Sequence, residues 1–189
     1  MHCARQKIRR PIRKPFQAAL TVMEMIVALA CGSIILGAFV ATTVVVGNTM
    51  VSVGNYNDLN KMSRQTLDRF SRDVRNAFRV GDNSTPTLLV LTNSYGGNKV
   101  IQYSWDGSNV LTRVEISGGT TNTTRMLTNC EVFSMSFYQR NPTNNFNFFT
   151  SVIPAQIKLI SVSWRCTRTV LGSKLNTESV QTANVVMRN

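Results

Sequence analysis

Histidine is almost missing from this chain: the single imidazole is His2, so no residue beyond it offers that ring to a metal or to acid-base catalysis. Acids are scarce as well, nine against 21 basic residues, and they are scattered, which removes paired-carboxylate chemistry and any EF-hand-like loop. Asp106-Gly107-Ser108-Asn109 reads as a hairpin turn, not a calcium site. The four cysteines, Cys3, Cys31, Cys130 and Cys166, form no CxxC motif, so neither a zinc site nor a redox motif is expected. No phosphate loop and no GxSxG occurs. The expectation is a non-enzyme with no catalytic residue, no cofactor and no metal.

A second absence is positive information. From Met25 to Asn57 no side chain is charged, and Met25 to Val46 is almost wholly apolar or small. About 22 residues at 1.5 Å each are enough to cross a bilayer core of roughly 30 Å. No proline breaks that run. Six basic residues (Arg5, Lys7, Arg9, Arg10, Arg13 and Lys14) precede it, and without them the net charge falls from +12 to about +6. Much of the basic excess is therefore a topology signal, holding the N-terminal end in the cytoplasm and placing the body outside. Outside the cytoplasm disulfides are permitted, and Cys130 and Cys166 are the candidates, although two buried thiols on neighbouring strands would look the same. Cys31, within the apolar run, reads as a small hydrophobe.

Glu24 sits at the lip of the run, where a carboxylate entering lipid costs about 2.5–3.5 kcal/mol. An ordinary signal peptide is cut after its apolar region, yet Ala18 and Ala19 lie before it. A lipoprotein signal is imitated by Ala28-Leu29-Ala30-Cys31, but apolar sequence continues well past Cys31. A plain uncleaved anchor, with Glu24 snorkelling to the headgroups, is a further reading.

The stretch ALTVMEMIVALA resembles the start of type IV pilins and pseudopilins, in which a basic leader ends in a small residue and Thr and Glu follow at mature positions two and five. With Leu20 first, Thr21 is second and Glu24 fifth; Ala19 stands where glycine is usual and Leu20 where Phe or Met is commoner. The resemblance implies cleavage between Ala19 and Leu20 by a prepilin peptidase, N-methylation of Leu20, and pairing of the Glu24 carboxylate with the N-terminal amine of a neighbouring subunit. Such pairing would offset the desolvation of a buried charge and set the register between subunits.

From Tyr56 onward an amphipathic helix is expected to run to about Val80, with Tyr56, Leu59, Met62, Thr66, Phe70, Val74 and Ala77 as its inner stripe. Interleaved charges such as Lys61, Arg64, Asp68 and Arg72 read as a solvated face and not as a nucleic-acid site. Gly47 and Gly54 suggest a bend or frayed joint. After the breakers from Gly81 to Pro86 the period becomes two, predicting strands at 87–92, 99–105, 110–116, 123–129, 132–139, 155–168 and 178–188. The glycine-rich turn Tyr95-Gly96-Gly97-Asn98 separates the first two. The loop RNPTNNFNFFT is the least patterned piece, and Phe146, Phe148 and Phe149 are read there as exposed or covered by the loop.

The expected fold class is α+β: a long N-terminal helix, half membrane and half amphipathic, packed on an antiparallel β-sheet. Four segments follow: a leader at 1–19, an apolar helix half at 20–48, an amphipathic half at 49–80 and a β-rich domain at 85–189. Within the pilin-like group, LDRFSRDVRNAFRV, IQYSWDGSNVLTRVE and VVMRN resemble J-type minor pseudopilins of type II secretion. That implies an inner-membrane subunit with a periplasmic domain, whose partners are sister subunits, the peptidase and the membrane. The other readings are a DNA-uptake or adhesive pilin, and an uncleaved anchored β domain that does not polymerise.

Overall fold

The computed structural model describes residues 21–93, 99–143, 147–169 and 178–188. The chain is α+β, with one long N-terminal helix followed by antiparallel strands. It divides into two compact units, 1–45 and 46–189. The helix, α1, is Val22–Asn76, 55 residues. Gly47 and Gly54 do not interrupt it, because an exposed glycine costs only about 1 kcal/mol against the cooperativity of its neighbours. In the first unit every described residue is exposed.

The second unit holds the core. Five strands, β1 (Arg79–Val80), β2 (Leu88–Asn93), β3 (Lys99–Trp105), β4 (Leu111–Ser117) and β5 (Thr120–Leu127), form an antiparallel meander in chain order. Four others, β6 (Cys130–Arg140), β7 (Phe148–Thr150), β8 (Ile157–Thr167) and β9 (Glu178–Val186), form a second antiparallel sheet in the order β7-β6-β8-β9. All seven predicted strands are present, but as two sheets where one was expected. The turn at 95–98 and Phe146 lie outside the described residues.

Three boundaries differ from the sequence reading. The helix stops at Asn76, not near Val80, because the next residues join the meander: Phe78 N–H donates to Thr92 O at 2.8 Å and Gly81 N–H to Val90 O at 2.8 Å. Gly81 is required by that approach, since a Cβ there would lie 2.9 Å from Val90 Cβ. The unpatterned loop contributes β7, which pairs Phe148 with Arg140 and Phe149 with Gln139; Phe149 is exposed and Phe148 half-buried. Pro154–Gln156 forms a 3-10 turn before β8. Between β4 and β5, Gly118 and Gly119 both take positive φ, 57° and 83°, as a two-residue primed turn requires.

The helix face buried in this unit is Leu59, Ser63, Thr66, Phe70 and Val74. Phe70 meets Tyr103 of β3 edge-on at 5.2 Å, and Trp164 of β8 stacks on Phe133 of β6 at 6.4 Å. On β6, Phe133 and Met135 are buried while Ser134 and Ser136 are exposed, the half-buried alternation that the sequence shows.

Candidate functional site

The start of α1 is built by two side chains. Thr21 occupies the position before the helix, and its N–H and hydroxyl both donate to Glu24 Oε2, at 2.9 and 3.0 Å. In return Glu24 N–H donates to Thr21 Oγ1 at 3.3 Å. This is a capping box, which satisfies orphan donors at both ends of the first turn. It uses only atoms of residues 21 and 24, so it lies wholly downstream of the Ala19–Leu20 bond. Ala19 and Leu20 themselves lie outside the described residues. Reading Thr21 only as a motif position missed the box, although the spacing T-x-x-E ahead of an apolar run carries that signal. Both donors share one carboxylate oxygen; among the described residues Oε1 has no partner.

From this cap onward, residues 21–51 are all exposed, and Glu24 is their only charge. Among the described residues α1 is the one helix long and apolar enough to cross a membrane, by length and composition. One side carries a shallow groove lined by Met25, Ala28, Leu29, Gly32, Ser33 and Leu36. Small residues at 28 and 32 are the spacing that lets apolar helices approach closely in lipid.

Polar contacts that the sequence did not foretell tie the second half of α1 to both sheets. Thr66 Oγ1 donates to Met126 O on β5 at 2.9 Å, and Trp164 Nε1 donates to Ser63 Oγ at 3.3 Å. Ser179 Oγ of β9 also hydrogen-bonds Ser63 Oγ at 3.3 Å. Deeper is a charge cluster. Asp73 Oδ2 accepts from Arg113 Nε and from Tyr103 OH, both at 2.7 Å. Arg113 NH1 meets Glu115 Oε2 at 2.6 Å, and Lys99 Nζ meets Glu115 Oε1 at 2.6 Å. The Arg113 side chain is 3% exposed, so the cluster is structural: a charge made tolerable in the core by two carboxylates.

The cluster moves its members' titrations. Burial, then the Asp73 charge, pushes Tyr103 well above the ordinary phenol value. The hydrogen bond from Lys99, then that from Arg113, holds Glu115 below the usual carboxylate range. A depressed carboxylate contributes stability that is present above its unfolded value, near 4.5, and lost as pH falls through the folded value. The melting temperature is therefore expected to decline as pH drops below about 4.5. In Glu115→Gln the decline should be shallower, with a lower plateau at neutral pH; an unchanged acid slope in thermal scans would remove Glu115 from the account. Asp106, whose carboxylate accepts from the N–H groups of Ser108, Asn109 and Val110 at 2.9–3.0 Å, is depressed in the same direction and adds to the loss in acid.

Cys130 and Cys166, the cysteines of the β region, are brought face to face across β6 and β8 as free, fully buried thiols. Hydrogen bonding to Cys166, then burial, pushes the Cys130 thiol up. Cys31 is exposed on the apolar helix half. Among the described residues no three His, Cys, Asp or Glu side chains gather as metal ligands. Compared with protein-family models, with curated proteins and with solved structures, the chain matches none.

Proposed function

We propose that this chain is a structural subunit of the prepilin kind, most like a minor pseudopilin. In this reading a prepilin peptidase cuts it between Ala19 and Leu20 and N-methylates Leu20. The processed subunit sits in the inner membrane with its β domain in the periplasm, and it assembles with sister subunits into a pseudopilus or pilus, supporting protein secretion or pilus biogenesis. The reading includes no enzymatic step and no nucleic-acid partner. One observation carries it: an uninterrupted helix in which residues 22–51 are exposed and bear a single charge, at the first turn. An apolar surface of that length needs lipid or other apolar helices around it. A lone carboxylate at its start needs a cation when the surface is covered.

Assembly then works in two layers. Apolar helix halves bundle, with Glu24 meeting the N-terminal amine of the next subunit. The β domain, tied to the second half of α1 through Ser63, Thr66 and Asp73, is carried on the outside and contacts its neighbours. The capping box holds the Glu24 carboxylate at the helix start, and among the described residues its Oε1 has no partner, which suits the approach of an amine.

The deciding measurement is the mature N-terminus, by intact mass and terminal sequencing of membrane-extracted protein. The expected start is N-methyl-Leu20. A start at Met1 returns Glu24 to a capping acid on a plain anchor, and a lipid-modified Cys31 makes the chain a lipoprotein; either result sinks the proposal.

A further inference from the structure

The β6–β8 ladder contains an irregularity at one place that determines which side chain faces Cys166. Phe133 opposes Trp164 and Val132 opposes Arg165, so an unbroken ladder would set Glu131 opposite Cys166. Instead the register shifts between Cys130 and Val132, and Cys130 becomes the partner of Cys166. A bulge of this kind re-aims a side chain. Here it turns Glu131 out to meet Arg165 at 3.4 Å and turns Cys130 into the core.

The pairing is of the non-hydrogen-bonded type. Thr167 N–H donates to Asn129 O at 2.9 Å, so the ladder bond brackets the cysteine pair, and Cys130 N–H goes elsewhere, to Asn109 O at 2.8 Å. In such pairs the Cα atoms lie about 4.5 Å apart, inside the range that a disulfide spans. The Cys130 backbone is held further by Trp105 Nε1, which donates to its carbonyl at 3.1 Å. Neither residue has measurable exposure.

We infer that Cys130 and Cys166 are a modification site: a dithiol that closes to a cross-strand disulfide while the β domain folds in an oxidising compartment. The timing follows from burial, because an oxidant reaches these sulfurs only before the core closes over them. The co-reactant is a disulfide-bearing oxidant, a dithiol-disulfide protein or a small disulfide such as oxidised glutathione. One cysteine thiolate attacks a sulfur of the oxidant, breaking its S–S bond and releasing one thiol. The other then attacks the mixed disulfide, forming the Cys130–Cys166 bond and releasing the second thiol. Two cysteines lose two electrons, the oxidant's disulfide gains them, and both protons end on its thiols. The closed loop runs from 130 to 166 and links the start of β6 to the end of β8.

The test uses the full chain in detergent, unfolded with reductant and refolded in a glutathione redox buffer. Digestion is expected to give a Cys130–Cys166 linked peptide that reductant splits, with Cys31 left open to alkylation. Reducing the oxidised protein should lower its melting temperature by about 5–15 °C. In a Cys130→Ala/Cys166→Ala variant that temperature should not respond to reductant. Free alkylation of both thiols after unfolding the refolded sample, or linkage of either one to Cys3, Cys31 or a second chain, would overturn the pairing. A separate arm traps thiols in cells by rapid alkylation. The pair found already oxidised supports formation in the cell. A pair reduced in cells yet oxidised in the buffer overturns that formation and counts against the periplasmic placement, leaving the chemistry of the pair intact.

Discussion

Asp73→Ala is expected to destabilise the folded β unit by about 3–5 kcal/mol, because it takes from the buried Arg113 guanidinium one of its two carboxylate partners. The same truncation strands the Tyr103 hydroxyl, which donates to the same carboxylate oxygen. For a unit of this size the loss corresponds to a fall in melting temperature of roughly 10–15 °C. Arg113→Met alone should cost less than Asp73→Ala, since it removes the buried cation and leaves Asp73, at 16% exposure, with Tyr103 as donor. The double variant is expected to be clearly more stable than the sum of the single losses implies, because the charge that Asp73→Ala strands is then absent. Thermal melts of the four proteins form a double-mutant cycle. Additive losses would show that Asp73 and Arg113 act independently and that their 2.7 Å contact carries no coupling.

The cluster also bears on what the β domain can do. A buried ion pair is weak as a source of net stability, but it specifies geometry, since the helix satisfies Asp73 at one position over β3 and β4 and at no other. Ser63 does the same toward β8 and β9 through Trp164 and Ser179. The second half of α1 is thereby fixed in rotation and in height against both sheets. A subunit whose proposed role is to present its β surface to neighbours needs that rigidity.

For Glu24 the expected result concerns assembly and not folding. Under the pilin-like reading, Glu24→Ala should be processed and anchored normally, yet enter filaments about 100-fold less, the factor that corresponds to an unpaired charge of roughly 3 kcal/mol within lipid. Glu24→Gln separates the capping that the structure shows from the charge pairing that the pilin-like reading proposes. Glutamine can keep the capping box, because its amide oxygen accepts from the Thr21 N–H and hydroxyl, but it brings no negative charge. Assembly is measured by sedimentation of sheared filaments and by crosslinking between apolar helix halves in membranes. Loss in both variants assigns the role to the charge. If Glu24→Gln assembles like the parent, capping is the whole function of the residue and the charge-pairing mechanism fails.

The sequence alone determined the elements that depend on local pattern. The stretch Met25 to Val46, almost wholly apolar or small and with neither charge nor proline, reads as a helix apolar on every face. Period-two segments between glycine- and asparagine-rich turns had to be strands, and each of the seven is found within a few residues of its expected place. The capping box was legible too, as T-x-x-E, and went unread only because the same two residues served another motif.

What only the tertiary structure decided is which faces meet. Alternation tells a strand that it has two sides, but it does not name the partner, so the division into two sheets had no local signal. Ser63 and Arg113 look like solvent-facing residues by type, and each is buried because a donor or acceptor distant in sequence satisfies it. For Arg113 that acceptor, Asp73, is 40 residues away. The extra residue that turns Cys130 toward Cys166 is likewise a property of the β6–β8 ladder and not of either strand. Hydrophobic periodicity is local and can be read along the chain. The burial of a polar or charged group is licensed only by its partners, and those are assembled by the fold.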